Sequence, residues 1–571
     1  MAETFDIVIV GSGGGAVPAA LAAKSQGKSA TIIEKQAVFG GSTSYSGGVW
    51  WIPNNPLLTE AGISDSYKKA RQYLDSLIPK PDKASSRERT DAFLKAAPRM
   101  VEFLRSYGMK FRRPYNIWPD YHDELPGGLA EGRSLLAEPF DLKSLGEWRD
   151  RLAIYGPLSH MPLGAEEFTT LFLMKRGWRG KLKALKYAGL MTRDFILGRQ
   201  TVANGAAIQG RMLEIALREK VDLKLSSPVE EFLIENGKIV GVIIAREGQR
   251  TEIRARDGVI INVGGYSHNT EFRQAHGDAP VVPGRSSANP GDTGELIEAM
   301  IDLGAATAHL DTAWWVVTSQ NTNGTWPEGV ETRDGGHFRF LHHLDLSLPY
   351  SIMVDQTGRR FCDEAGSYME IGERMLARQR ENGKAIPAWV IFDARHRRYY
   401  PWGAMPPGKT PKSWIDSGYM KKANTLAELS DLCGIDPNGL SEEVQRFNGF
   451  CESGMDRDFN RGGRAFDRAH GDPSIQPNPN LAPIEQGPFF AVAMYPADVG
   501  TAGGVVTDQY ARVLRTDGSI FKGLYAIGNS AAPAFGRKYP GAGASIAASF
   551  TFGYVAALHC GGSNELENII G

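Results

Sequence analysis

The chain opens on a sharp change of pattern. In "FDIVIVGSGGGAVPAALAAKSQGKSATIIEK", Ile7–Val10 is an unbroken apolar, β-branched run, the profile of a strand buried on both faces. A glycine-rich turn and an alanine-rich helical stretch follow, and a second apolar run, Ala30–Ile33, stops at Glu34. Two distant segments have the same form. "RDGVIINVGGY" (256–266) predicts a strand ending at Gly264–Gly265, and "GLYAIGNSAA" (523–532) predicts one ending at Gly528–Asn529. Between 207 and 265, apolar stretches broken at Asn236–Gly237 and Glu247–Gly248 predict an antiparallel hairpin attached to these strands.

The first turn carries chemistry. Gly11, Gly13 and Ala16 fill the G-x-G-x-x-G/A pattern, with Gly14 and Gly15 inside it. The first glycine makes the tight turn, the second admits a diphosphate to the backbone, and the third position lets helix and strand pack closely. Free N–H groups at the helix start then face the phosphates. Glu34, with Lys35 beside it, ends the second strand, where a carboxylate accepts hydrogen bonds from an adenosine ribose. A small-residue segment follows, with Gly40, Gly41, Ser42, Thr43, Ser46, Gly47 and Gly48, and it suits the wall of a bulky, permanently bound flavin. The fold class expected is α/β: a discontinuous Rossmann-like FAD-binding domain with a second α+β substrate domain. The boundaries predicted are 1–282 for the N-terminal part of the FAD domain, 283–490 for the substrate domain and 491–571 for the C-terminal part. "PNPNLAPIEQGPF" (477–489) reads as the return linker. A second glycine turn, in "KYPGAGASIAASF" (538–550), leads into a helix over 544–552.

Composition narrows the picture. With 571 residues, more than one domain is expected, and a net charge of −1 gives nothing that draws the chain to nucleic acid. The four cysteines, Cys362, Cys433, Cys451 and Cys560, are scattered and form no CxxC pair, so neither a zinc site nor a disulfide framework is expected. No histidine spacing suggests a metal. The start "MAETFDIVIVG" predicts no cleaved secretion signal, and no apolar stretch is long enough to span a bilayer; a cytoplasmic protein is expected.

The order GSGGGA, FGGSTSYSGG, NVGGY, GLYAIGN, YPGAGAS resembles the fumarate reductase-type flavoprotein superfamily over nearly the whole chain. Within it, the sequence is most similar to the 3-ketosteroid Δ1-dehydrogenases. That resemblance implies FAD as cofactor and the removal of hydrogen from C1 and C2 of a 3-oxosteroid. The C2 proton goes to a tyrosine base and the C1 hydride to flavin N5. It implies that Tyr539 and Gly543, in "YPGAG", hydrogen-bond the C3 oxygen, in the manner of an oxyanion hole. It implies Tyr368, in "RFCDEAGSYMEIG", as the base and Tyr121, in "WPDYHDE", as its assistant. A free phenol titrates near about 10, so Tyr368 needs stabilisation as phenolate or prompt relay of its proton. Ala544, Ser545 and Ile546, at the start of the last predicted helix, would face the flavin's O2 end, Val229 the adenine, and Asp292, in "NPGDTG", the cofactor. The same fold carries Δ4-(5α)-3-ketosteroid dehydrogenases and fumarate-type enoate reductases, and a non-catalytic flavin carrier is the reading outside enzymes.

Residues 150–205 form a basic insert. Leu171, Met174, Trp178, Leu182, Leu185 and Ala188 recur every three or four positions, while eight Lys/Arg and one acid, Asp194, lie between Met174 and Arg199. That pattern predicts an amphipathic helix with Trp and Leu in a membrane interface, weakened at Gly177 and Gly180. It resembles the longer dehydrogenases acting on sterol-derived enones such as cholest-4-en-3-one. The partners expected are a steroid, an electron acceptor such as a quinone, and a membrane surface touching residues 168–199. "DARHRRYY" (393–400) reads as a solvated surface run.

Overall fold

The computed structural model describes residues 3–114, 118–155, 163–280, 282–328 and 339–570. Part of the basic insert, 156–162, and the side chains of Ala165, Glu166, Phe168 and Arg179 lie outside the described residues.

The strand Glu3–Val10 pairs in parallel with Ala30–Ile33 on one side and with Gln249–Ile261 on the other. Asp222–Lys224 joins beyond Ala30–Ile33, and Ile520–Ala526 joins beyond Gln249–Ile261, both parallel. One eight-stranded sheet is therefore built from the start, the middle and the end of the chain. The strands Val229–Glu235, Lys238–Arg246 and Gln249–Ile261 run as an antiparallel meander off this sheet. Its turns fall at Asn236–Gly237 and Glu247–Gly248, all four with positive φ, the twist that two-residue hairpin turns require.

The glycine turn feeds the helix Ala16–Ser25, which packs against the C-terminal helix Ala544–Cys560. A Cβ on Gly553 would stand 2.3 Å from the carbonyl oxygen of Gly15, so the two backbones touch only because Gly553 has no side chain. On the opposite face, Val8, Val10, Ile33 and Ile261 pack with Leu296, Ile297 and Met300 of the helix Glu295–Asp302. That helix lies within 283–490, so part of the expected substrate segment completes the first domain's core.

The second sheet is antiparallel. Phe489–Thr501 runs through it, pairing with Ala313–Ser319, Ala388–Phe392 and Met420–Ala423, and Ser351–Val354 closes the order. Phe489–Thr501 crosses residue 490, where the linker reading placed the boundary, and carries the second sheet to Thr501. The reason is local: the strand is buried almost throughout, so no solvent-exposed stretch interrupts it.

The insert forms two helices, Ala165–Phe172 and Trp178–Ile196, broken at 173–177. Gly180 does not interrupt the second helix; a Cβ there would meet the Leu173 carbonyl oxygen at 2.6 Å. The "DARHRRYY" segment is not a solvated run. It forms the short helix Ala394–Tyr399, capped by Asp393, with His396 and Arg397 buried. Arg397 donates to the carbonyls of Tyr400 and Lys409, and Arg395 pairs with Asp393.

Candidate active site

A cavity of about 970 Å³ runs between the two domains and meets both glycine turns. At one end stand Gly11, Gly13 and Gly14. Gly11 has φ +96°, and a Cβ there would lie 2.2 Å from the Asn262 carbonyl oxygen, so the turn admits no side chain. The Gly14 and Gly15 N–H groups already donate to Thr43 Oγ1 and Ser549 Oγ. Glu34 Oε2 accepts from the Ser12 amide and hydroxyl, and Oε1 accepts from the Gln36 amide; the carboxylate is held rigid at the cavity wall. Lys35 lines the same end and bonds Thr293 and Glu295.

Gly41, Ser42, Thr43, Ser46, Gly47, Gly48, Val229, Gly264, Asp292, Gly528, Asn529, Ser545 and Ile546 also line the cavity. Gly15, Ala16, Gly40, Gly265 and Ala544 stand behind it. Their smallness serves packing: a Cβ on Gly265 would meet Thr501 Oγ1 at 2.0 Å, and one on Gly15 the Ser549 carbonyl at 2.4 Å. Asp292 accepts from Ser42 Oγ at 2.8 Å, and burial pushes its carboxyl up to about 7 against the pull of Ser42 and Lys35.

Three phenols close the far part. The ring centroids of Tyr121, Tyr368 and Tyr539 form a near-equilateral triangle, with 6.0, 5.7 and 5.8 Å sides. Each comes from a different place in the chain. Tyr539 precedes the turn into Ala544–Cys560, and its hydroxyl lies 2.9 Å from Ser545 Oγ. Gly543 caps that helix at φ +82°, where a Cβ would stand 1.8 Å from the Val49 carbonyl oxygen. Tyr368 is the first residue of the helix Tyr368–Asn382, fixed by a capping box between Ser367 and Glu370. Tyr121 follows Asp120, which is buried against Arg133 and accepts from Trp51 Nε1. Burial pushes the Tyr121 and Tyr368 hydroxyls well above the usual phenol range, and for Tyr368 the neighbouring Tyr539 and Tyr121 add to it. Both are neutral phenols in this state, and the Tyr121 hydroxyl is buried beside that of Tyr368.

Several wall residues carry no motif. Asn262, at the end of the strand Gln249–Ile261, reaches toward Gly11, and its place just before Val263–Gly264 was the available signal. Trp314 packs at a tilt against Tyr539, with centroids 4.8 Å apart, and donates to Asn529, and His343 packs edge-on against Tyr368 at 5.6 Å. Burial pushes the His343 imidazole down to about 4, so it is neutral near pH 7. The insert contributes Leu171, Phe172 and Met174, and the 401–407 loop contributes Met405 and Pro406. Leu171 and Met174 thus face the cavity, whereas Trp178, Leu182 and Leu185 are exposed.

The cavity joins a glycine turn, a rigid carboxylate and a helix N-terminus at one end to a pocket of phenols and aliphatic groups at the other. The sequence matches the FAD binding domain family over residues 6–546. It is 37% identical to 3-oxosteroid 1-dehydrogenase of Mycolicibacterium smegmatis, covering 97% of each chain, and 36% identical to that of Mycobacterium tuberculosis, covering 98% of each. The fold superposes on 3-ketosteroid Δ1-dehydrogenase from Sterolibacterium denitrificans, determined in complex with 1,4-androstadiene-3,17-dione. The TM-score is 0.90 at 33% identity, over 99% of this chain and 100% of that one. The protein is an FAD-dependent flavoprotein oxidoreductase, and the chain belongs to the 3-oxosteroid 1-dehydrogenase family.

Proposed function

We propose that the chain catalyses the 1,2-dehydrogenation of 3-oxo-Δ4-steroids to 3-oxo-1,4-dienes. The observation that carries this is the triangle of Tyr121, Tyr368 and Tyr539 beside Gly543, at the end of a cofactor cavity. The Tyr539 hydroxyl, already oriented by Ser545, and the Gly543 N–H donate to the C3 oxygen, where charge develops as the C2 proton leaves. Tyr368 takes that proton at its phenol oxygen. It starts a helix, whose N-terminal partial charge favours the phenolate against the burial that opposes it. Tyr121 donates a hydrogen bond to Tyr368 in its phenolate form, which becomes a neutral phenol on taking the C2 proton.

Gly11, Gly13 and Gly14 would hold the FAD diphosphate, Glu34 the ribose, and Ser545 and Ile546 the pyrimidine end of the flavin. Bound FAD supplies the two-electron acceptor for the C1 hydride. An external acceptor, a quinone or another carrier, takes the electrons onward. Residues 3–282 and 502–571 form the FAD-binding part in this reading, and most of 283–501 the substrate part.

The ketone carries a sterol-type side chain in this reading, because Leu171, Phe172, Met174, Met405 and Pro406 extend the cavity with apolar wall. The insert also rests on the cytoplasmic membrane face. Trp178, Leu185, Phe195 and Ile196 are 67%, 70%, 85% and 75% exposed, and Lys181, Lys183 and Lys186 lie exposed on the same helix. No described helix is long and apolar enough to cross a bilayer, so the contact is peripheral.

Other readings have less support. A dicarboxylate reductase needs arginines converging on its substrate, and no arginine is among the described residues lining the cavity. Anaerobic mixing of the FAD-loaded protein with androst-4-ene-3,17-dione tests the proposal. Flavin bleaching with formation of the 1,4-diene is expected; a flavin that stays oxidised would mean a carrier, and a product unsaturated elsewhere a different regiochemistry.

A further inference from the structure

We infer that a closed ring of buried hydrogen bonds through Trp402, Tyr419, Ser319, His342 and Asp345 fixes the cavity wall beyond the phenols and so sets affinity for the far end of the ketone. The inference rests on the proposed reaction and adds the residues that decide which ketones it takes.

The ring has one consistent direction. Trp402 Nε1–H donates to the Tyr419 hydroxyl at 3.2 Å, because an indole nitrogen can only donate. Tyr419 then donates to Ser319 Oγ at 2.6 Å, and Ser319 donates to His342 Nε2 at 2.6 Å. His342 Nδ1–H donates to Asp345 Oδ2 at 2.7 Å, and that oxygen also accepts the Gly403 N–H at 3.2 Å. The path leaves residue 402 and returns at residue 403. The His342 ring lies flat on Trp402, with centroids 4.4 Å apart. All five side chains are buried.

Serine, histidine and aspartate in this order match the constellation of hydrolytic enzymes. Here it has no such use. Ser319 is 0% exposed, its hydroxyl is engaged on both sides, and none of the five residues lines the cavity.

What the ring joins is informative. Ser319 ends the strand that places Trp314 and Val316 in the wall. His342 precedes His343, which packs against Tyr368. Trp402 opens the loop carrying Gly403, Met405 and Pro406. Backbone and hydroxyl bonds already tie the 340–342 segment to the strand, through His342 N–H to the Val317 carbonyl and Thr318 Oγ1 to the Phe340 carbonyl, and Arg397 holds the two ends of Trp402's loop. The ring adds the middle of that loop, at Trp402 and Gly403, to the segment and the strand, so the wall runs as one body from the base to the insert, where Arg176 and Tyr400 share Asp472. Removing one hydroxyl leaves a buried donor or acceptor unpaired, and the loop shifts to satisfy it.

The test compares two ketones on FAD-loaded enzyme: androst-4-ene-3,17-dione, without a side chain, and cholest-4-en-3-one, with one. In Tyr419→Phe and Ser319→Ala, KM for the long ketone should rise about 5- to 10-fold, the scale of one lost buried hydrogen bond. KM for the short ketone and kcat for both should stay within about twofold, and Ser319→Thr should restore the long-ketone KM by keeping the hydroxyl. Equal changes for both ketones, or no change, overturn the inference. If Ser319→Ala fails to hold flavin, Tyr419→Phe decides alone. If the wild type turns over neither ketone, the proposed reaction fails separately. The ring is then judged by ketone dissociation constants from the flavin spectrum, where an unchanged long-to-short ratio rejects it.

Discussion

The backbone N–H of Tyr121 donates to the carbonyl oxygen of Pro540 at 3.1 Å, and the Tyr73 hydroxyl donates to the same oxygen at 2.6 Å. One peptide group thus couples the "WPDYHDE" segment to the turn that presents Tyr539 and Gly543. Tyr73→Phe keeps the ring and removes one of the two donors. A loss of about 1 kcal/mol is expected, seen as a lower flavin-release temperature, with kcat reduced several-fold because Tyr121 and Tyr539 lose their common reference. An unaltered kcat would show that the Tyr121 amide suffices.

Tyr368→Phe should abolish turnover while the ketone still perturbs the flavin spectrum on binding. The pocket keeps its shape, since only one oxygen is lost from a side chain held by ring contacts to Tyr121, Tyr539 and His343. Retained turnover would remove Tyr368 as the base. Tyr539→Phe should instead both slow flavin reduction and weaken ketone binding, because the donor to the carbonyl is gone.

Gly543→Ala should give a protein without stable flavin. The new Cβ would lie 1.8 Å from the Val49 carbonyl oxygen, at a φ of +82° that side-chain-bearing residues rarely adopt. In Gly541→Ala the nearest atoms to the new Cβ are those of the Trp51 indole, at 2.3 Å, and the backbone φ there is not positive. It should hold more flavin than Gly543→Ala, and absorbance at the flavin band checks the order.

Asp292 makes stability fall as pH rises. Its folded-state value is raised from 3.8 to about 7, so the folded chain binds the proton more tightly than the unfolded chain. The favourable contribution is complete below about 4 and is lost as pH climbs to about 7; by linkage its upper bound is on the order of 4 kcal/mol. Asp292→Asn should flatten this part of the flavin-release temperature profile between pH 5 and 8. A slope as steep as in the wild type would place the titration elsewhere.

Replacing Trp178, Leu185 and Phe195 together by glutamate should abolish sedimentation with anionic vesicles and leave turnover of androst-4-ene-3,17-dione intact, since these side chains are exposed rather than in the cavity. Undiminished sedimentation would remove the insert as the membrane contact.

Local motifs made much of the site readable. A glycine turn between strand and helix, an acidic strand end, and a tyrosine before "PGAG" each concern neighbours in sequence, and periodicity finds such features. Ser319, His342 and Tyr419 were silent because each is an ordinary residue until three elements meet. The proline-rich stretch 477–489 leads into a long buried strand, Phe489–Thr501, whose burial no local turn signal announces. The insert's three-to-four spacing was real, but the break at 173–177 turns Leu171 and Met174 toward the cavity and the later positions outward.

The central sheet places Glu3–Val10 beside Gln249–Ile261, and that strand beside Ile520–Ala526. On a ribosome, the nucleotide pocket therefore stays half-built until the codons for Ile520–Ala526 are translated. Such distant pairings make closure slow, and free FAD has no finished cradle to enter before then. Cellular flavin supply should consequently govern how much of the newly made chain reaches the holo state, and riboflavin limitation during expression should accumulate protease-sensitive, colourless protein.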